Sequence, residues 1–285
     1  LESLDDEIRA FGGQTTLAPC DVRDGEALDR LGLAIHQRWG KLDVMVHCAA
    51  VLPDLTSVTD IDQTALDEVV AGFAKRYGRD MVRGVVMDVT SEAAVIAAVE
   101  YTVAEYGGLD VLVNNAGIAG PTGGIDAISD AEWQATININ LTAQYRFAHH
   151  AVPMLKQSSH GHLLHIASVA GRLGYAWRTP YAATKWAIVG LMKSLASELG
   201  ESDIRVNALL PGIVEGPRMD AVIRARAEQV GVPEPEMRQE YLNKISLKRM
   251  VTAEDVAAMA LFLCSPAARN VTGQAISVDG NVEYL

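Results

Sequence analysis

The stretch GGLDVLVNNAG, residues 107–117, indicates which fold this chain adopts. Its segment 109–114 has an apolar centre without polar alternation, which is typical of a strand buried on both faces of a parallel sheet. Two amides and two small residues follow at 114–117, and small residues let a ligand come close to the backbone. In open parallel sheets, ligands bind at the carboxyl ends of the strands. The stretch therefore predicts a parallel sheet with a ligand site at the end of this strand.

Strands and helices alternate along the rest of the chain. The further strand candidates are Val82–Met87, His162–Ala167, Ile204–Leu210 and Ala275–Val278, and the helix candidates are 91–106, 131–157, 180–199, 219–229 and 253–264. Because apolar strands separated by helices form a parallel sheet covered on both faces, the fold class is α/β, a doubly wound sheet in three layers α/β/α.

Composition and charge exclude several classes of function. The chain has 285 residues, 49% of them hydrophobic, and a net charge of −12 that repels nucleic-acid backbones. Its longest apolar run, Ala257–Cys264, is too short to span a bilayer, and no signal peptide stands at the first residues. Three widely spaced cysteines favour neither a disulfide framework nor a zinc site. We expect a cytoplasmic protein that binds no nucleic acid, membrane or metal.

The segment YAATK, residues 181–185, places a phenol and an ammonium group on one face of a helix that begins near Pro180. A free tyrosine has a pKa of about 10, and a neighbouring cation lowers it. Bringing that pKa to neutrality needs about 3–4 kcal/mol of phenolate stabilisation, which a buried ammonium group and a helix N-terminus can supply. The pair taken alone also fits an ordinary exposed helix pair.

Three other positions supply the surroundings that such a pair needs. Ser168 stands at the end of the strand candidate 162–167, where its hydroxyl can donate to a substrate oxygen, although a capping serine fits the same position. Asn140 lies within a predicted helix, in which a side-chain amide is only a moderate helix former. Pro211 and Gly212 end another strand with a turn.

Together these motifs, with Asn114-Asn115-Ala116-Gly117, resemble the short-chain dehydrogenase/reductase family over about residues 64–285, in both order and separation. The resemblance implies a Rossmann-type fold that binds NAD or NADP, with NAD the preferred cofactor, and a small-molecule alcohol or ketone substrate. The helices predicted at 131–157 and 180–199 resemble those that pair between subunits in this family, which implies a homotetramer or a homodimer.

The family's catalytic roles carry over to four positions. Tyr181 would be the general acid and base, Lys185 would lower its pKa and hold the nicotinamide ribose, and Ser168 would orient the carbonyl. Asn140 would hold a water that links Lys185 to solvent. The residues implied in cofactor binding are Asp88, Val89, Asn115, Ala116, Gly117, Tyr181, Lys185, Pro211, Gly212 and Ile213. The resemblance implies no metal.

The chain departs from the family at its start. The family's phosphate-binding glycine loop contains Gly-x-Gly, and this sequence contains no Gly-x-Gly anywhere. The first strand, that loop and the second strand are expected to be missing, and with them the residue that selects NAD or NADP. In their place, GKLDVMVHCAA at 40–50 repeats GGLDVLVNNAG at 107–117, and CDVRD at 20–24 repeats MDVTS at 87–91, both at a separation of 67 residues.

This repeat leads to a hypothesis about domain organisation. Residues 1–60 would be a partial second copy of the family's strand-helix-strand unit, and 61–285 the catalytic domain. Segment 42–49 would take the vacant place beside 109–116, because a gap there leaves the neighbouring strands unpaired, and loop 50–60 would stand where the phosphates bind. The alternative is that the repeat is not part of the natural sequence.

Two functional readings follow. The first is an oxidoreductase that interconverts a secondary alcohol and a ketone, and the second is a catalytically silent binding or scaffold protein that has lost its cofactor site. Segment 219–248 would close over the substrate, with Met219, Met237, Tyr241 and Leu242 in the lid or in the core. Arg218 fits either an anionic substrate or an ordinary surface pair.

Overall fold

A parallel sheet forms the centre of the fold. The structure is a computed structural model that describes residues 44–47, 56–77 and 82–285. Within them, seven strands pair in the order β3-β2-β1-β4-β5-β6-β7. The strands are β1 (Val44–His47), β2 (Thr56–Asp60), β3 (Val82–Val86), β4 (Val111–Asn114), β5 (His162–Ile166), β6 (Arg205–Pro211) and β7 (Ala275–Val278). The predicted doubly wound α/β class is confirmed.

Helices connect the strands and cover the sheet. They are α1 (Gln63–Tyr77), α2 (Glu92–Tyr106), α3 (Asp130–Ile137), α4 (Ala143–Leu155), α5 (Thr179–Leu199), α6 (Pro217–Val230), α7 (Glu234–Asn243) and α8 (Ala253–Cys264). Local sequence accounts for several starts: Ser129 and Thr252 accept hydrogen bonds from backbone N–H groups of α3 and α8 in capping boxes. Pro180 and Pro217 stand in the first turns of α5 and α6.

Two predicted helices are interrupted. The segment predicted as one helix over 131–157 is α3 and α4 joined by a π-helical turn, Asn138–Thr142. Segment 219–248 contains α6 and α7, which are separated at Gly231 (φ 75°) and Pro233. A left-handed glycine ends one helix, and the fixed φ of proline begins the next.

The strand β1 lies in the middle of the sheet. It pairs in parallel with β2 and with β4, and its register places Val44 opposite Val111 and His47 opposite Asn114. This is the position that the repeat predicted for segment 42–49. Residues 1–43 and 48–55 lie outside the described residues, so the division of the chain at residue 60 remains a proposal.

The prediction of loop 50–60 and of a missing second strand is wrong for residues 56–60. These residues form β2, which pairs with β1 and β3 and so fills the place of that strand. The segment TSVTD favours a strand because it alternates β-branched residues. Val58 is 3% exposed and packs in one cluster with Leu66, Phe73 and Val82.

The main core lies under β4, β5 and β6. Leu112, Leu163 and Val206 are fully buried there, and Phe147 of α4 and Ile188 of α5 pack in the same cluster. This packing fixes the carboxyl ends of the three strands at one edge of the sheet, next to the start of α5. None of the described helices is long and apolar enough to cross a membrane.

Candidate functional site

Tyr181 and Lys185 lie one turn apart at the start of α5. The Lys185 Nζ atom is 5.6 Å from the centre of the Tyr181 ring. It donates a hydrogen bond of 2.9 Å to the carbonyl oxygen of Ile166 at the end of β5. Lys185 is 4% exposed. The strand end therefore holds a buried ammonium group against the Tyr181 ring.

The surroundings of Tyr181 favour its phenolate form. Burial acts to raise the pKa of this phenol, whereas the Lys185 ammonium group and a hydrogen bond with Ser168 lower it. The charges of Arg218 and Arg178 lower it further, and the pKa of Tyr181 lies below its ordinary value. Burial also lowers the pKa of Lys185, Tyr181 raises it, and Arg218 lowers it, with a net lowering. A phenol in this position exchanges a proton closer to neutral pH than a free tyrosine does.

Ser168 follows β5 and begins a 3-10 turn, Val169–Gly171. It is 6% exposed, and its Oγ atom accepts a hydrogen bond of 3.2 Å from the N–H of Ala170. A serine hydroxyl that accepts one bond keeps its own proton for donation. A Cβ atom at Gly171 would lie 2.7 Å from the carbonyl oxygen of Lys185, so this turn packs against α5 only with glycine there.

Asn140 connects α5 to the loop after β4. It lies in the π-helical turn and is fully buried. Its Oδ1 atom accepts from the N–H of Ile118 at 2.8 Å, and its Nδ2 atom donates to the carbonyl oxygen of Ile118 at 3.1 Å and to Thr184 Oγ1 at 3.3 Å. Thr184 Oγ1 in turn donates to the carbonyl oxygen of Tyr181 at 2.8 Å. Asn140 thus ties the first turn of α5 to the loop, and its role toward a water remains a prediction.

The predicted residues at the end of β4 lie beside this cluster. Asn115, Ala116 and Gly117 are half-buried. A Cβ atom at Gly117 would lie 3.1 Å from Asn140 Oδ1 and 3.8 Å from Lys185 Nζ. The backbone at Gly117 therefore passes close to both side chains, and the predicted NNAG segment joins the Ser168–Tyr181–Lys185 group in space.

The Pro-Gly turn closes the other side. β6 ends at Pro211, and the N–H of Gly212 donates to the carbonyl oxygen of Val278 at 2.9 Å. A Cβ atom at Gly212 would lie 2.7 Å from the Cα atom of Asp279, so the close approach requires glycine. Ile213 is 3% exposed, and its carbonyl oxygen accepts from the N–H of Val251 at 3.0 Å.

The remaining predicted pair lies at the end of β3. Asp88 is exposed, and its Oδ1 atom accepts from the N–H and the hydroxyl of Thr90, both at 2.8 Å. Val89 is half-buried and packs against the main core. Asp88 and Val89 thus stand on the same edge of the sheet as Ser168 and Gly212, but two strands beyond β4.

Sequence reasoning missed Asp60, the last residue of β2. Its carbonyl oxygen accepts from the N–H of Met87, and its Oδ1 atom accepts from the N–H of Asp62, both at 2.9 Å. In dinucleotide-binding sheets, an acidic residue at this strand end binds the ribose hydroxyls of NAD. The available signal was the β-branched alternation of TSVTD before an aspartate, which a segment read as a loop concealed.

The donor set suits the nicotinamide riboside half of a dinucleotide. Lys185 uses one of its three N–H donors on Ile166 and keeps two for ribose hydroxyls. The backbone approach at Gly117 leaves room next to it. Residues 48–55, which follow β1 where phosphates bind in such sheets, contain no glycine and lie outside the described residues. No three His, Cys, Asp or Glu side chains of the described part gather as metal ligands would.

Known proteins share this sequence and this fold. A family profile described as enoyl-(acyl carrier protein) reductase matches residues 56–282 and also residues 2–71, which include the repeat. The 3-oxoacyl-(acyl-carrier-protein) reductase FabG of Thermotoga maritima is 35% identical over 227 residues, 78% of this chain and 85% of that protein.

Two solved structures carry the two forms of the cofactor. An NAD+-bound xylitol dehydrogenase superposes with a TM-score of 0.76 at 25% identity, over 79% of this chain and 88% of that one. A variant of the actinorhodin polyketide ketoreductase with NADPH superposes with a TM-score of 0.75 at 31% identity, over 80% and 87% of the two chains.

Proposed function

The chain belongs to the short-chain dehydrogenase/reductase family of oxidoreductases, and from that premise we propose that it interconverts a secondary alcohol and a ketone. The observation that carries the proposal is the lowered pKa of Tyr181, which has Lys185 and Ser168 as its partners. These groups supply what proton transfer to a carbonyl oxygen requires. A nicotinamide cofactor, when bound, supplies or accepts the hydride.

The side chains of the site have separate roles in this proposal. The Ser168 hydroxyl donates to the substrate oxygen and orients it toward Tyr181. In reduction, the Tyr181 hydroxyl gives its proton to that oxygen, and in oxidation the phenolate takes a proton from the alcohol. Lys185 stabilises the phenolate and binds the ribose with its two remaining donors. Asn140 holds the start of α5 in register with the loop at Ile118.

The remaining predicted residues would form the walls of the cofactor site. Asn115, Ala116 and Gly117 would border the adenosine ribose, and Pro211, Gly212 and Ile213 the nicotinamide. Asp88 and Val89 would border the adenine. Each position lies on the carboxyl edge of the sheet, where open α/β sheets bind nucleotides.

NAD is the cofactor that we propose for this site. Asp60 ends β2, next to the central strand, and a carboxylate there accepts hydrogen bonds from a ribose diol. The same carboxylate repels the additional phosphate of NADP. Replacing Asp60 by Ala should therefore reduce the preference for NADH over NADPH.

A homotetramer or homodimer is the proposed assembly. Tyr145 of α4 and Trp186 of α5 are each 52% exposed in the single chain. Large side chains on neighbouring helices gain most from burial against another copy of the chain. Sedimentation equilibrium measures the number of chains, and a monomer at all concentrations contradicts this proposal.

A catalytically silent binding protein is the second candidate. The absence of Gly-x-Gly from the whole sequence favours it, because those glycines let the backbone and a helix N-terminus bind the pyrophosphate. A silent protein would keep Ser168, Tyr181 and Lys185 without using them.

Titration with NADH and NADPH, followed by nicotinamide fluorescence, separates the two candidates. We expect saturable binding with a Kd in the micromolar range and a preference for NADH. Tyr181→Phe should then keep cofactor binding and lose about a thousandfold or more in turnover, because it removes the exchangeable proton. Failure of the wild-type protein to bind either cofactor supports the silent protein and contradicts the enzyme.

A further inference from the structure

Arg178 lies three residues before Tyr181 in a strained segment. Trp177, the residue before it, has φ 66°, in the left-handed region that non-glycine residues rarely adopt. The carbonyl oxygen of Trp177 accepts from the N–H of Gly123 at 2.9 Å, which fastens the segment to the loop after β4. Strain of this kind persists only where the surroundings hold it, and it is frequent at ligand sites.

The Arg178 guanidinium is buried without a counter-charge. The residue is 4% exposed, and its guanidinium carbon lies 5.1 Å from the centre of the Tyr181 ring and 5.3 Å from that of Tyr175. Its Nη2 atom donates to the carbonyl oxygen of Ala119 at 2.5 Å, while its Nε atom is buried with no partner. No carboxylate of the described residues pairs with it. A buried cation of this kind is costly unless a ligand completes it.

A second arginine faces the same space. Arg226 of α6 lies with its guanidinium carbon 5.3 Å from the centre of the Trp177 ring, and its Nη1 atom is buried with no partner. Like Arg178, it forms no ion pair with a carboxylate in the described part of the chain. Two partly satisfied guanidinium groups therefore converge from α6 and from the start of α5.

The two arginines line one narrow crevice, which has about 160 Å³ of empty volume. Thr122, Tyr175 and Tyr241 complete its polar lining, and the two tyrosine hydroxyls lie 3.1 Å apart. Burial raises the pKa of Tyr175, so its phenol remains neutral and does not balance the arginines. The crevice is thus positively charged and open to a small anionic group.

We propose that this crevice binds the carboxylate of the substrate, and that the substrates are short oxo acids and the corresponding hydroxy acids. The inference rests on the proposed function, because Tyr181 must receive the oxo group. A carboxylate on Arg178 lies within a few bonds of a carbonyl whose oxygen meets the Tyr181 hydroxyl. The planar guanidinium matches the planar carboxylate, and a narrow crevice suits that shape better than a tetrahedral phosphate.

Acetoacetate and methyl acetoacetate test this assignment, since they share the reacting ketone and differ in the charge. The measured quantity is the ratio of kcat/KM for the acid to kcat/KM for the ester with NADH. We expect the wild-type ratio to exceed about ten, and Arg178→Met to lower it about tenfold or more, as for loss of a charged hydrogen bond. Because both probes use Tyr181, an altered phenol pKa cancels in the ratio.

Two further variants sharpen the comparison. Arg178→Lys keeps the charge without the planar fork and should restore part of the ratio. Arg224→Met is the matched control, since Arg224 lies on the same helix as Arg226, is 60% exposed in its side chain and pairs with Glu234. It should leave the ratio unchanged. A wild-type protein that prefers the ester, or an Arg178→Met variant that loses both substrates equally, overturns the proposal while leaving the enzyme intact.

Calorimetry keeps the inference testable if neither probe turns over. Acetoacetate is titrated into the wild-type protein and into Arg178→Met, with and without NADH. Saturable binding that disappears in the variant supports the crevice, and no binding to the wild type overturns it. NADH binding is measured separately, so its failure counts against the proposed enzyme alone. Inorganic phosphate that binds more tightly than acetoacetate overturns the assignment to a carboxylate.

Discussion

Arg218 is exposed at the start of α6, yet its charge acts on the candidate acid and base. It lowers the pKa of Tyr181 and also that of Lys185. No carboxylate of the described residues forms an ion pair with it. A cation that stabilises the phenolate from the surface makes the pH dependence of the reaction sensitive to a residue outside the catalytic group.

Arg218→Met should therefore move the pH profile of alcohol oxidation to higher pH. Oxidation needs the Tyr181 phenolate, so the rate rises as pH passes through the pKa of Tyr181. Loss of the cation raises that pKa, and the rising limb of kcat/KM then lies at higher pH than in the wild type. The control Arg224→Met, on the same helix and paired with Glu234, should keep the wild-type profile. Salt should reduce the difference, because it screens exposed charges.

Single residues differ in how far the sequence reveals them. Tyr181, Lys185 and Ser168 could be predicted because their spacing relative to a strand end and a helix start is local. Asp60 could not, since its position follows from strand pairing across a segment without a usable motif. Arg178 could not either, because its burial without a counter-charge depends on residues from α6 and from the loop at Ala119.

The turn between β5 and α5 shows how elements constrain the site. Gly171 brings the backbone of this turn so close to α5 that a Cβ atom would lie 2.7 Å from the carbonyl oxygen of Lys185. That contact is with backbone and cannot be relieved by rotating a side chain. The turn and the helix therefore hold Ser168 and Lys185 on opposite sides of Tyr181.

Gly171→Ala should reduce the free energy of unfolding by about 1–3 kcal/mol, as overpacking in a core does. It should also reduce turnover, because relief of the clash moves Ser168 or Lys185. Urea unfolding and steady-state kinetics measure the two effects. Gly72→Ala is the control: nothing lies within 4 Å of its added Cβ atom in α1, so a gain of about 0.5–1 kcal/mol is expected. Equal stabilities of Gly171→Ala and the wild type would falsify the close approach.

Element types were predictable where periodicity was strong, and boundaries were not. Helix α8 begins and ends where the sequence predicts, because Thr252 caps it and its pattern is uniform. The helix predicted over 131–157 contains a π-helical turn, since the buried amide of Asn140 bonds to Ile118 instead of continuing a regular face. That bond is tertiary and leaves no local signal.

The whole sheet depends on one short strand. β1 supplies the ladder partners of both β2 and β4, so its loss would expose two rows of unpaired backbone groups in the centre of the fold. The sequence predicts this placement through the repeat, because GKLDVMVHCAA copies the strand beside which it lies. It does not predict β2, whose partners are set by the sheet order rather than by its own pattern.

Two truncations test the importance of β1 for the whole molecule. Residues 43–285 form one compact unit, and a chain that begins at residue 43 keeps the central strand. We expect it to unfold in a single cooperative thermal transition, measured by circular dichroism. A chain that begins at residue 56 lacks β1 and should lose that transition or aggregate, because the gap lies inside the sheet and not at its edge.

A point variant separates loss of β1 from the effects of truncation. Met45→Pro in the full chain removes one backbone donor from the central strand, where proline is not tolerated. It should lower the melting temperature of the full-length protein and weaken NADH binding, because the carboxyl edge next to β4 is displaced. If the chain from residue 56 melts at the temperature of the chain from residue 43, β1 is dispensable. The sheet would then need another strand in its centre, and the proposed division at residue 60 would have to be abandoned.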